Sequence, residues 1–147
     1  MSYDVLVVSG HPEMRLGVRS ILQSRGKLRQ DMIGEASSVE KAIRTIDDMV
    51  ASGGRVGVVV QDIEAHDMGE GRIELLELGL LRHIQGNYPA MPVIVTSPFQ
   101  STGFVFMDGG SAARTTIGEA LSQLGAYAHV QKNKTCDELA GWIINAL

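Results

Sequence analysis

The chain has 147 residues and a mass of 15.8 kDa, enough for one core and too little for two. Hydrophobic residues at 44%, charged residues at 20% and a mean hydropathy of +0.06 exclude a disordered chain, and apolar runs no longer than a strand exclude a spanning helix. A formal charge of -4 speaks against a nucleic-acid surface over the whole chain, and one cysteine, Cys136, makes neither an internal disulfide nor a cysteine zinc site. A reducing cytoplasm is the simplest compartment for such a chain, and the start, Met-Ser-Tyr-Asp-Val-Leu-Val-Val, lacks the basic region of a signal peptide.

Apolar periodicity switches repeatedly between strand and helix. Val5 to Val8 is a continuous apolar run suited to a strand buried on both faces. After Gly10-His11-Pro12, the residues Met14, Val18, Ile21 and Leu22 share one helical face, and Gly26 ends that helix. Met32 to Ala36 reads as a second strand. Ser37-Ser-Val-Glu40 matches a capping box that opens a helix carrying Val39, Ala42, Ile43, Ile46, Met49 and Val50. Val56 to Val60 is a third buried strand, and Ile73, Leu76, Leu80 and Ile84 mark a third helix ending near Gly86. Val93 to Val95 is a fourth strand. Ile117, Ala120, Leu121 and Leu124 mark a short fourth helix, and Ala126 to Val130 a fifth strand. Thr135-Cys-Asp-Glu138 is a second capping box; the helix behind it places Cys136, Leu139, Ala140, Ile143, Ile144 and Leu147 on its buried side, with Trp142 off that stripe.

Five strands alternating with five helices predict an α/β domain, a doubly wound parallel five-stranded sheet in three α/β/α layers. Sites in such sheets form at the carboxyl ends of the strands. Those ends carry Ser9-Gly10-His11, Asp62-Ile63-Glu64, Ser97-Pro98 and Lys132-Asn133, so a carboxylate, a hydroxyl and an ammonium are expected along one edge.

These residues carry a resemblance to the response-regulator receiver domains of two-component signalling, whose fold is flavodoxin-like (βα)5. The wording is most similar to receivers of LuxR/NarL-type regulators: Val-Leu-Val-Val-Ser-Gly-His-Pro at 5–12, Ile-Gly-Glu-Ala-Ser-Ser at 33–38 and Gly-Ala-Tyr-Ala-His-Val-Gln-Lys at 125–132. The resemblance implies that Asp62 stands at the phosphoacceptor position, that Ser97 and Lys132 stand at the phosphate-binding positions, and that the whole chain, 1–147, is a single domain.

Several positions depart from the family. The acidic pair that holds Mg²⁺ in the family is replaced by Ser9 and Gly10, and Mg²⁺ is usually fixed through carboxylates in near-octahedral oxygen geometry. His129 stands at the switch-aromatic position, His66 where a proline follows the acceptor, and Asn133 where a proline follows the lysine. The stretch from Ser97 to Gly125 is longer than the family needs; the surplus, about 99–116, holds Phe99, Phe104 and Phe106 and is expected to be a loop without regular structure.

The expected function is therefore an atypical receiver, a pseudo-receiver that works by protein–protein interaction, with no enzymatic activity and no cofactor or bound metal. Its partner is a protein or a second copy, reached through the 99–116 insertion and the last helix; no membrane and no direct nucleic-acid contact is expected of this domain. The alternative is a working phospho-receiver that takes a phosphoryl group on Asp62 from a histidine kinase, with Mg²⁺ held by a rearranged site using Glu13 or Glu64, and controls transcription through a separate output domain. A small-molecule domain of the same fold is the third reading, weakened by the lack of a phosphate loop. His11 and His66 read more simply as solvated loop histidines than as metal ligands. His129 reads as a partly buried strand residue before it reads as a pH switch, and Trp142 as either a partly covered aromatic or a partner contact.

Overall fold

The computed structural model describes residues 2–63, 75–98, 102, 104–106, 114–132 and 136–147. Strand β1 is Tyr3–Val8 and helix α1 is Pro12–Ser24, with Pro12 in the first turn, where its missing N–H is not needed. There follow β2 Ile33–Ala36, α2 Val39–Ala51, β3 Val56–Asp62, α3 Leu75–Asn87 and β4 Val93–Ser97. The chain continues through β5 Phe104–Phe106, β6 Arg114–Thr116, α4 Ile117–Gln123, β7 Ala128–Gln131 and α5 Cys136–Ala146.

Five of these strands form one parallel sheet in the order β2-β1-β3-β4-β7, and the expected doubly wound fold is thereby found. Alternation along the strands divides the core in two. Val5, Val7, Val58, Val60 and Ile94 pack with Val18 and Leu22 of α1 and Leu139 and Ile143 of α5. Leu6, Val8, Val59, Val93 and Val95 face the other way, onto Ala42 and Ile46 of α2, Leu81 and Ile84 of α3 and Leu121 of α4. With helices on both faces the middle of the central strands is apolar, and polar residues such as Gln61, Asp62, Thr96 and Ser97 gather at the strand ends. Gly57 serves the β1–β3 pairing, since a Cβ there would lie 2.7 Å from the carbonyl oxygen of Asp4.

Several local expectations are corrected. Met32 closes a short 3-10 turn, Gln30–Met32, and β2 begins one residue later. The N-cap of α2 is Ser38, not Ser37: the Ser38 hydroxyl accepts from the Lys41 N–H at 3.2 Å, and Ser37 Oγ instead meets Lys41 Nζ at 3.0 Å. The fifth strand of the sheet starts at Ala128 because Gly125, at φ 91°, still belongs to the turn that ends α4. Ile144 and Leu147 are 43% and 53% exposed instead of buried. Leu139, Ala140 and Ile143 already fill the seam under α5, and one more step of the helix turns Ile144 outward.

The insertion contains regular structure. β5 and β6 pair antiparallel, Phe104 opposite Thr116 and Phe106 opposite Arg114. Phe-Val-Phe and Arg-Thr-Thr are strand-forming compositions, and pairing them satisfies backbone groups that a bare loop leaves to solvent. Phe99 lies outside the described residues, as do Glu64, His66, Ile73, Asn133 and the Thr135 cap. Among the described residues no helix is long and apolar enough to cross a membrane.

Candidate functional site

The sheet order reverses beside β1, and the carboxyl ends of β1 and β3 open the crevice where ligands of such sheets bind. Register places the expected residues there. Ser9 follows β1 and is held by its N–H on the Ala36 carbonyl at 3.0 Å. Asp62 ends β3 opposite Thr96, and the next N–H, of Ile63, bonds the Thr96 carbonyl at 2.8 Å. The Lys132 N–H donates to the Ser97 carbonyl at 2.6 Å, so the lysine leaves the end of β7 at the same level.

The Asp62 carboxylate is the centre of this cluster. Its side chain is 1% exposed; Lys132 Nζ lies 2.6 Å from Oδ1, and the Ser9 hydroxyl donates to Oδ2 at 2.7 Å. A buried carboxylate needs this pairing, because removing it from water costs several kcal/mol, of order 3 or more, unless opposite charge and hydrogen bonds replace the hydration. The ion pair is therefore a buried one on the Asp62 side.

Ser9 does more than fill the place of an acid. Its hydroxyl also accepts from the His11 N–H at 3.1 Å, and its carbonyl accepts from Arg15 Nη1 at 2.7 Å. Arg15 is in turn paired with Glu35 at 3.1 Å, and Arg19 joins the same carboxylate at 2.7 Å. Sequence reasoning passed over Arg15, Arg19 and Glu35; the four-residue spacing of the two arginines on α1 was the available signal. Gly10 is exposed, and a Cβ there would meet only the Ser37 carbonyl at 3.9 Å.

Ser97 is buried at the end of β4 and reaches across to β7, where its Oγ lies 2.7 Å from His129 Nε2. Burial holds the His129 imidazole below its ordinary pKa of 6.5 and favours the neutral ring. Glu13 is exposed in the first turn of α1. Glu64 and His66 lie outside the described residues.

A separate polar cluster joins α2 to α3. Asp47 Oδ1 accepts from the Tyr88 hydroxyl at 2.6 Å and lies 2.8 Å from His83 Nε2. The Tyr88 and His83 hydrogen bonds hold the Asp47 carboxyl below its ordinary range, and the same Asp47 contact raises the Tyr88 phenol.

The receiver resemblance implies Mg²⁺ beside Asp62. Among the described residues the site offers one carboxylate, already bound to an ammonium and a hydroxyl, together with the Ser9 oxygen and a glycine. Nowhere among them do three His, Cys, Asp or Glu side chains stand close enough to hold a metal ion. Mg²⁺ dehydrates reluctantly and is fixed through free carboxylate oxygens, so this donor set does not fit it.

A parallel five-stranded sheet in the order β2-β1-β3-β4-β7 with helices on both faces has the architecture of a receiver domain. Solved structures share this fold. The receiver domain of NtrX from Brucella abortus superposes with a TM-score of 0.69 at 23% identity, over 98% of this chain and 98% of that one. A response regulator receiver domain protein from Clostridium thermocellum matches with a TM-score of 0.66 at 20% identity, over 98% and 93% of the two chains. The response regulator TrrA from Thermotoga maritima, in complex with Mg²⁺-BeF, matches with a TM-score of 0.66 at 20% identity, over 99% of each. No protein-family model matches the chain, and no curated protein matches it in sequence. At these identities the shared property is the fold: the chain folds as a response-regulator receiver domain.

Proposed function

We propose that this protein is an atypical receiver of two-component signalling, a pseudo-receiver of the LuxR/NarL-type wording, that acts in the cytoplasm by binding protein and not by Mg²⁺-dependent phosphorylation of Asp62. One observation carries the reading. Lys132 and the Ser9 hydroxyl occupy the two oxygens of Asp62, at 2.6 and 2.7 Å, where a phospho-receiver presents a carboxylate to a metal and a phosphoryl donor. Phosphoryl transfer relies on a metal to neutralise charge between donor and acceptor, and Ser9 and Gly10 supply no carboxylate to hold one beside Asp62, whose charge Lys132 already balances. The product of such a domain is a surface. The insertion and α5 supply the surface, for a partner protein or a second copy, without enzymatic chemistry and without direct nucleic-acid contact.

The competing reading is a working phospho-receiver, and the gathering of Asp62 and Lys132 at one strand-end edge favours it. It requires a metal site rebuilt from Glu13 or Glu64 and an output domain. Intact mass after incubation with acetyl phosphate and millimolar Mg²⁺ separates the two. An unchanged mass is expected; a phosphoryl adduct lost on Asp62→Asn establishes the second reading.

A further inference from the structure

We infer that the pocket between β2 and α2 binds a small phosphorylated polyol of the sugar-phosphate class, its phosphate on Lys41 and Arg44 and its hydroxyl groups toward Asp48. The pocket has a volume of about 680 Å³, inside the range of about 300–1,000 Å³ that small-molecule sites occupy. It opens at Ala36 and Ser37, where β2 ends, and so lies at the carboxyl edge of the sheet, where ligands of such folds bind. Lys41, Arg44, Thr45 and Asp48 stand three or four residues apart on α2 and line its other side.

Arg15 and Glu35 also border the pocket, and their charges are already spent. Glu35 gives one oxygen to Arg15 at 3.1 Å and the other to Arg19 at 2.7 Å, and Arg15 Nη1 is held on the Ser9 carbonyl at 2.7 Å. The α2 side differs. Lys41 Nζ meets an uncharged partner, the Ser37 hydroxyl at 3.0 Å. Among the described residues Arg44 makes no ion pair, neither with Glu40 nor with Asp48, each four residues away. On a chain of formal charge -4, two exposed cations and a hydroxyl thus gather at the mouth of one pocket.

The chemistry of the two ends selects the ligand. An ammonium, a guanidinium and a hydroxyl together suit a phosphate, which has charge for both cations and an oxygen for each donor. Asp48 excludes a ligand that is anionic along its whole length and, as a pure acceptor, asks for hydroxyl donors. Thr45 Oγ1 is spent as a donor on the Lys41 carbonyl at 2.8 Å, so toward the pocket it too presents an acceptor. From Lys41 to Asp48 the helix rises about 10 Å, the span of a small sugar phosphate. Among the described residues no aromatic side chain lines the pocket, so it offers a nucleobase nothing to stack on.

Ribose 5-phosphate, inorganic phosphate and ribose are the probes, titrated without Mg²⁺ by calorimetry and by amide NMR. Ribose 5-phosphate is expected to bind with a Kd of about 1 mM or below, roughly threefold or more tighter than inorganic phosphate, and ribose not to bind. The amide shifts should centre on Ser37, Lys41, Arg44 and Asp48. Lys41→Gln and Arg44→Gln should each weaken ribose 5-phosphate by about fivefold or more with unchanged melting temperature. Arg55→Gln, which removes the same charge at the amino end of β3, should leave binding unchanged. Asp48→Asn should act in opposite directions: it tightens inorganic phosphate, because a nearby negative charge is gone, and erases the preference for the sugar phosphate. No saturable binding below about 20 mM overturns the inference. So do equal affinities for phosphate and ribose 5-phosphate, shifts scattered over the other arginines, or an equal loss in Arg55→Gln. The result is independent of the mass measurement, since no phosphoryl donor or metal is present: a silent pocket leaves both readings of Asp62 standing.

Discussion

Lys132 is the side chain on which the polar edge depends. Its side chain is 23% exposed, whereas that of the Asp62 it neutralises is 1% exposed. The two partners of the pair are therefore unequal. Lys132→Met leaves a buried carboxylate with the Ser9 hydroxyl and no cation, and should cost about 3 kcal/mol. Asp62→Asn keeps an acceptor for Ser9 and lets the lysine turn to solvent, at a cost of about 1 kcal/mol. The double variant should lose well under the sum of the two single losses, by a coupling of about 2 kcal/mol, as for residues in direct contact. Urea unfolding of the four proteins measures this. Additive losses would show that the 2.6 Å contact contributes nothing to stability.

Between β4 and β7 the Ser97–His129 bond ties the two strands whose ends frame that edge. The tie depends on protonation. Burial lowers the His129 pKa, so below 6.5 the unfolded chain takes up a proton that the folded protein still refuses. More protons on the unfolded state means that stability falls as the pH drops from 6.5 toward the folded value, and is fully present above 6.5. His129→Phe removes the titrating ring, and its melting temperature should fall less than that of the parent between pH 7.5 and 5. The Asp47 carboxyl, also depressed, loses its contribution only below its ordinary value of 3.8, so it does not overlap this window. Parallel melting curves for the parent and His129→Phe would show that the imidazole is not refused by the fold.

Among the described residues the two cores lie on opposite faces of the sheet, one under α1 and α5 and the other under α2, α3 and α4. A receiver that signals by phosphorylation shifts between two states through the serine and aromatic positions at that sheet's edge. Here Ser97 is bonded to the His129 imidazole, and Asp62 to Ser9 and Lys132. On the proposed pseudo-receiver reading, one resting conformation is expected. Amide spectra recorded with and without 5 mM Mg²⁺ and beryllofluoride, about the concentration at which weak divalent sites fill, should superimpose. Shifts spreading from Asp62 to Lys132 and His129 would show a second state and restore the phospho-receiver.

Continuous apolar runs such as Val5–Val8 and Val56–Val60, the 3.6-residue spacing of Ala42, Ile46 and Met49, and the polar residues at each run's end sufficed for the fold and for the level at which Asp62, Ser97 and Lys132 stand. These follow from backbone geometry within a dozen residues. Where a stretch gave two local readings, chain-local rules erred by a residue or a face: Ser37 for Ser38 at the cap, Ile144 taken as buried, and a loop in place of the Phe104–Thr116 hairpin. Partners far apart in the chain were out of reach. Ser9 on its own is a missing acid, and becomes a donor to Asp62 only because β1 and β3 pair with Val8 opposite Gln61. His129 is a lost aromatic until the β4–β7 register brings it beside Ser97. Periodicity is set by neighbours in the chain, whereas hydrogen-bond partners across a sheet are set by register, which is specified by burying a face of the sheet.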